Sequence, residues 1–190
     1  MSNLRFTPFP TLTTSRLRLK AIEQTDQAAI FALRSDAENR RYIDQNPAKS
    51  VQEIQTFMER IQSGMARDEW VFWALVPKED TSQVLGTICL WHFERATNTA
   101  EVGYELAPSA QGKGYMREAL SRVVQYAFEA LELDRLEAYT HAENMASRRL
   151  LERIQFEHQK TYQEQYHNAP GTYAMSLYAL QAKQGAHLTK

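Results

Sequence analysis

The sequence predicts a mixed α/β fold of the α+β type, with elements in the order β-α-α-β-β-β-α-β-α-β-β. Three observations carry this prediction. Runs rich in aromatic and β-branched residues at 69–76, 84–93 and 100–106 follow one another across short polar turns, the pattern of an antiparallel meander. The apolar period then becomes helical: Tyr115, Ala119, Leu120, Val123, Val124, Ala127, Phe128 and Leu131 make one stripe. That helix joins the strand ending at Leu106 to a strand-like run at 135–140, and strands joined by a helical crossover pair in parallel.

The remaining elements follow in chain order. Residues 15–22 alternate charged and apolar side chains, as a half-buried strand does. Thr25 and Asp26 are placed to cap a helix carrying Ala29, Ile30 and Leu33 on one face. Ser50 and Glu53 have the spacing of a capping box. Ile54, Phe57, Met58 and Ile61 continue at helical spacing, and Gly64 is placed to close that helix. Polar turns at 78–83 and 94–99 separate the central strands. Residues 145–154 read as a helix capped by Asn144, and 156–166 with 172–180 as a final hairpin around 167–171. No repeat, low-complexity tract or Gly/Ser linker interrupts this order. Residues 11–180 therefore read as one domain, and 181–190 as a polar tail.

Composition narrows the class of protein. The chain has 190 residues, 43% hydrophobic and 24% charged, with 22 Lys+Arg against 23 Asp+Glu and a net charge of −1. A nucleic-acid partner is not expected without a basic excess, nor a membrane one without an apolar run of about 18 residues. The first residues lack the apolar core of a secretory signal, so a cytoplasmic location is expected. The single cysteine, Cys89, excludes an internal disulfide. Histidines at 92, 141, 158, 167 and 187 show no H-x-x-x-H spacing, so no metal is expected.

Chemistry is concentrated in one stretch, Tyr104-Glu-Leu-Ala-Pro-Ser-Ala-Gln-Gly-Lys-Gly-Tyr-Met-Arg-Glu118. A strand ends, Pro108 breaks pairing, two glycines follow, and a long helix begins. Glycines accept positive φ and let a ligand approach the backbone. The helix start adds unpaired N–H groups and the positive end of the dipole, and Lys113 and Arg117 add charge. The combination suits a pyrophosphate. A Walker loop is excluded because Gly114 follows Lys113 and no glycine holds the earlier position. A Rossmann fingerprint would have glycine where Arg117 stands, although Glu137 lies at the right distance for the ribose-binding acid. A glycine turn that binds nothing is the plain structural alternative.

Gln111-Gly-Lys-Gly114 resembles the Q/R-x-x-G-x-G/A acetyl-CoA loop of the GNAT N-acetyltransferase superfamily. The chain is similar, over about residues 11–180, to the RimJ/RimL-type ribosomal-protein N-acetyltransferase branch. The supporting segments are Leu12-Thr-Thr-Ser-Arg-Leu-Arg-Leu19, Ala100-Glu-Val-Gly-Tyr104, Gly112-Lys-Gly-Tyr-Met-Arg-Glu-Ala-Leu120, Tyr126-Ala-Phe128 and Asn144-Met-Ala-Ser-Arg-Arg-Leu-Leu151 with Phe156. Two positions depart from the pattern: Met116 stands at the last Gly/Ala of the loop, and Gln155 stands where the family has glycine before Phe156.

The resemblance implies a GNAT fold, a mixed and mostly antiparallel sheet with a central splayed parallel pair. It implies acetyl-CoA as cosubstrate and direct acetyl transfer to a primary amine, either a peptide N-terminus or a small molecule. The backbone of Tyr104, Glu105 and Leu106 would pair with the pantetheine arm as an added strand would. Gln111, Gly112, Lys113, Gly114, Tyr115 and Met116 would supply N–H groups to the pyrophosphate. Asn144 would bond the pantetheine, and Ser147 would protonate the departing thiolate. Glu101 is the candidate base, and Glu105 (on the same strand face) and Glu164 are alternatives. A solvated carboxylate with no catalytic role is the other reading of each. Cys89 and His92 should face opposite ways, which argues against a cysteine nucleophile. Trp70, Trp73 and Trp91 read as core or cleft rim, and Asn39-Arg-Arg-Tyr42 as cleft lining or a solvated helix end. A non-catalytic acyl-CoA-binding module and a dinucleotide-dependent oxidoreductase are the rival functions. A homodimer is left open.

Overall fold

Alternation of leucine with arginine and lysine puts Leu17 and Leu19 on one face of a short strand, and both are fully buried. The computed structural model, which describes residues 5–167 and 169–182, builds outward from such strands. In chain order the elements are β1 (Leu12–Thr13), β2 (Leu17–Ala21), α1 (Gln27–Ser35), α2 (Val51–Ala66), β3 (Val71–Pro77), β4 (Gly86–Glu94), β5 (Thr99–Leu106), α3 (Tyr115–Glu129), β6 (Arg135–His141), α4 (Met145–Arg153), β7 (Glu157–Gln165) and β8 (Thr172–Gln181). The sheet order is β1-β2-β3-β4-β5-β6-β8-β7. β5–β6 is the parallel pair and the other neighbours are antiparallel.

β3 explains the two-sided core. Val71, Trp73 and Leu75 face the larger apolar cluster, which α3 and α4 cover. Phe72 and Ala74 face a second cluster with Ile30 of α1 and Ile54, Met58 and Ile61 of α2. A strand buried on both faces reads as a continuous apolar run, as 71–76 does.

Register creates the feature on which function depends. β5 pairs with β6 through Thr99–Arg135, Ala100–Leu136 and Glu101–Glu137, and there the pairing stops. β5 nevertheless continues along β4 to Leu106, and β6 continues along β8 to His141. The two parallel strands thus separate beyond Glu101, leaving the β5 backbone at 102–106 without a neighbour on its β6 side. β8 rather than β7 fills the far side of β6, a choice that chain order alone does not make.

Local departures from the sequence expectations have visible causes. Residues 14–16 form a turn instead of the start of a strand, because Thr14 exchanges hydrogen bonds with Leu17. Asp26 ends a 3₁₀ turn, and its carboxylate accepts from the Glu23 N–H and Lys20 Nζ, so it gives α1 no side-chain cap. Ser50 caps α2 as expected, but Glu53 reaches the Lys49 N–H. Gly64 lies inside α2: a Cβ there would sit 2.0 Å from the Trp70 ring, so this glycine serves close packing and does not end the helix. β8 extends to Gln181, and the Ala182 N–H donates to Asp134 O. Residues 183–190 of the expected tail lie outside the described residues.

Gln155 adopts φ 68°, in the left-handed region. It completes a Schellman end to α4, with Gln155 N–H to Glu152 O at 3.0 Å and Phe156 N–H to Leu151 O at 3.0 Å. Leu151 and Phe156 are buried together. A side chain in this conformation costs about 1–2 kcal/mol, part of which glycine offsets by its freer unfolded chain. Gln155→Gly is therefore expected to stabilise the fold by about 0.5–1 kcal/mol. Urea unfolding should show a higher midpoint, and a lower one would contradict the cap geometry.

Candidate active site

The loop between β5 and α3 is shaped by two glycines in the left-handed region, Gly112 at φ 73° and Gly114 at φ 79°. Nothing lies within 4 Å of a Cβ built on Gly112, so the constraint there is backbone conformation and the space beside it is open. The first hydrogen bond of α3 is Glu118 N–H to Gly114 O, so the preceding N–H groups have no intrahelical acceptor. Lys113 and Arg117 are exposed beside them. Tyr115 is half-buried under the Arg16 guanidinium, which lies 4.5 Å from its ring centroid. Met116 turns its side chain into the core, because the helix has begun before it.

Glu118 fastens this helix start to the β1–β2 turn. Its Oε1 accepts from the Thr14 hydroxyl, the Ser15 hydroxyl and the Arg16 N–H, and its Oε2 from Arg16 Nε at 2.7 Å. Burial alone would raise the Glu118 carboxyl. The hydrogen bonds from Thr14, Arg16 and Ser15 outweigh that and hold its pKa at about 2. Arg16 also donates to Lys113 O at 3.0 Å, so one arginine ties both the helix and the glycine loop.

The banks of the split carry hydroxyl groups and carboxylates on opposite faces of the sheet. On the α3/α4 face, the Tyr104 hydroxyl lies 2.8 Å from Ser147 Oγ. Burial pushes the Tyr104 phenol well above its usual range, so it remains a proton carrier. Asn144 caps α4, its Oδ1 accepting from the Ser147 N–H at 3.1 Å. On the other face stand Glu101 and Glu105. Glu101 lies 2.9 Å from His92 Nδ1. Glu105 accepts from Arg34 at 3.1 Å, Arg40 at 3.3 Å and Thr87 at 3.3 Å, so its carboxylate is already engaged by three donors. Glu164 stands on β7 opposite Tyr173 of β8, whose ring stacks on that of His141 at the end of β6. Electrostatic contact with Glu164, after burial, lifts the Tyr173 phenol to about 12.

Cys89 is half-buried beside Gly103, and burial pushes its thiol up to about 12, so no thiolate is available there near neutrality. His92 does not keep the strand alternation expected for it. A bulge between Trp91 and Glu94, with His92 at φ 45°, turns the ring towards Glu101. Among the described residues no group of three or more His, Cys, Asp or Glu is placed to hold a metal ion. No helix among them is long and apolar enough to cross a membrane.

An acetyltransferase (GNAT) domain model matches residues 16–157. The chain belongs to the GNAT acetyltransferases. It is an N-acetyltransferase, and the acetyl donor of its family is acetyl-CoA. The uncharacterized N-acetyltransferase YoaA of Bacillus subtilis is 30% identical over 172 residues, covering 90% of this chain and 97% of that protein. Spermidine N(1)-acetyltransferase of Vibrio cholerae is 25% identical over 170 residues, covering 89% and 95%. The structure of Mycobacterium smegmatis RimJ in complex with CoA-disulfide superposes with a TM-score of 0.82 at 18% identity, covering 94% of this chain and 91% of that one, a likeness of fold. A mostly antiparallel GNAT sheet is not the doubly wound parallel sheet of a dinucleotide-binding domain, which removes the oxidoreductase alternative.

Some groups around this GNAT split were offered by the sequence only as one of two alternatives, and others were not singled out at all. Arg34 and Arg40 meet Glu105, and Arg40 is only 4% exposed, so Asn39-Arg-Arg-Tyr42 is not a solvated helix end. Its cluster of arginines was the visible signal. The Tyr104 hydroxyl and His92 left no such signal, because their roles depend on strand separation and on a bulge. Trp73 is core, with Nε1 donating to Pro10 O; Trp91 is 40% exposed and stacks on His92.

Proposed function

We propose that this protein transfers an acetyl group from acetyl-CoA directly to a primary amine, at the split between β5 and β6. The observation that carries this reading is the strand separation beyond Glu101, with the glycine loop at one end and the Tyr104–Ser147 hydroxyl pair spanning the two banks. The loop N–H groups from Gly112 to Met116, with Lys113 and Arg117, form a cradle for a pyrophosphate, whereas the Gln111 N–H is taken by Pro108 O. The unpaired edge of β5 at Tyr104, Glu105 and Leu106 takes an amide-bearing arm as an added strand. Asn144 offers its amide NH2 to that arm, since its oxygen serves the helix cap.

Acetyl-CoA, when bound, supplies an activated acetyl thioester. The chain's residues handle the protons. Glu101, hydrogen-bonded to His92, removes one from the incoming ammonium so that a neutral amine can attack. A backbone N–H of β5 near Leu106 stabilises negative charge on the acetyl oxygen. Ser147 donates to the sulfur, with the Tyr104 hydroxyl behind it. The acceptor is a peptide N-terminus, as in the RimJ/RimL type, or a small-molecule amine.

The test combines binding and turnover. Acetyl-CoA at about 100 times its Kd should stabilise the fold by about 2.7 kcal/mol, a rise in Tm of roughly 5–10 °C, while NAD and NADP leave it unchanged. A panel of amines and N-terminal peptides should then release CoA. Glu101→Gln should lower kcat/KM by about 10²-fold near neutrality. Stabilisation by NAD(P) alone would overturn the reading, and an unchanged kcat/KM from pH 6 to 9 would remove Glu101 as the base.

A further inference from the structure

Residues 36–46, between α1 and α2, lie across the split on the face that carries Glu101 and Glu105. On the β5 bank, Asn39 Oδ1 accepts from Gln111 Nε2 at 3.3 Å, and the same amide donates to Leu106 O at 3.0 Å. Arg40 Nη1 donates to Glu105 Oε2. On the β6 bank, the Tyr42 ring lies 5.3 Å from that of His141. Asp44 Oδ2 accepts from the His167 N–H at 2.7 Å. The segment therefore touches the glycine loop, the cofactor strand, the end of β6 and the β7–β8 turn.

Arg40 is the buried centre of this arrangement. Its Nη2 donates to Gln45 Oε1 at 2.9 Å, and Arg34 donates to both Glu105 and Gln45, which closes a network of two guanidiniums, one carboxylate and one amide. Arg40 Nε is buried without a partner. Burial, and then the nearby Arg34, make the charged form of Arg40 less favourable than usual. An excess buried cation with an orphan N–H is poorly explained by stability, because an apolar side chain of similar size generally serves a core as well. It is explained by geometry. Glu105 sits on the strand edge where the pantetheine would pair, and Arg40 fixes the overlying segment to that same residue.

We propose that Arg40 is a positioning residue that locks segment 36–46 onto Glu105, making that segment the wall along which the acceptor amine reaches the thioester. The proposal rests on the acetyl-transfer reading for its kinetic consequence and not for its structural one. Arg40→Lys keeps the charge but loses the fork that holds Glu105 and Gln45 together. It should lower acceptor kcat/KM by about 10–100-fold while KM for acetyl-CoA stays within about twofold. Amide exchange at 39–46 should become about tenfold faster or more. A merely structural loss would move both substrates together. Equal loss for both substrates, unchanged exchange, or faster exchange with unchanged acceptor kinetics would each overturn the proposal. If the wild-type protein acetylates none of the panel, the acetyl-transfer reading fails, and the exchange measurement alone decides whether Arg40 holds the segment.

Discussion

Glu118→Gln is expected to lower stability by about 2–3 kcal/mol near pH 7 and by little near pH 2. The wild-type carboxylate takes hydrogen bonds from Thr14, Ser15 and both the N–H and Nε of Arg16. Its pKa is about 2 in the folded protein, below the value near 4.3 expected for an unfolded chain. Between those values the unfolded state holds a proton that the native state does not, so stability falls as the medium is acidified. The contribution is complete above about pH 5 and is lost as pH falls through 4.3 towards 2. The full linkage value is reduced because the Arg16 side chain is 47% exposed and partly screened. Glutamine keeps an oxygen for Thr14 and Ser15 but turns a donor towards Arg16. Urea unfolding of both proteins near pH 7, 4 and 2.5 checks the point. A gap that stays constant across that range would show that the charge of Glu118 is not the source. Since Arg16 also holds Lys113 O, the variant should raise KM for acetyl-CoA as well.

The clamp at Glu118 marks the limit of what was legible in the sequence. The alternating Leu17–Leu19 strand, the aromatic meander, the α3 stripe and the Asn144 cap follow from nearest-neighbour periodicity and were readable residue by residue. The crossover implied a parallel β5–β6 pair. Periodicity does not say how far such a pair runs, and the split arises because pairing ends at Glu101. The resemblance supplied that expectation. Contacts between residues far apart in sequence were invisible: Thr14 with Glu118, Arg40 with Glu105, Tyr104 with Ser147. His92 shows a different limit. Strand alternation sets it opposite Cys89, and one extra residue in a bulge breaks that alternation and turns it towards Glu101. Gln155 shows a third, since a glutamine holds a conformation that sequence preference assigns to glycine because the buried Leu151 and Phe156 on either side of it impose the turn.

Gly114→Val should be the more severe change for function. Gly114 holds φ 79° at the start of α3, where a β-branched residue costs about 2–3 kcal/mol. Space is not the obstacle, because the nearest atom to an added Cβ is Arg16 Nη2 at 3.5 Å. The loop is exposed, so it will relieve the strain by rotating to negative φ instead of bearing it. That rotation re-aims the peptide groups next to Gly114 and disperses the N–H cradle. KM for acetyl-CoA is expected to rise about 10²-fold, equivalent to about 2.7 kcal/mol of lost binding, with kcat much less affected. Gly171→Val separates this from simple destabilisation. Gly171 also has positive φ, 108°, and open space around it, but it lies in the β7–β8 turn. It should show a comparable fall in Tm with an unchanged KM for acetyl-CoA. If the two variants weaken acetyl-CoA equally, the loop conformation is not what recognises the pyrophosphate. If only Gly114→Val does so, the left-handed turn is the binding determinant, and the positive charge of Lys113 and Arg117 is not sufficient without it.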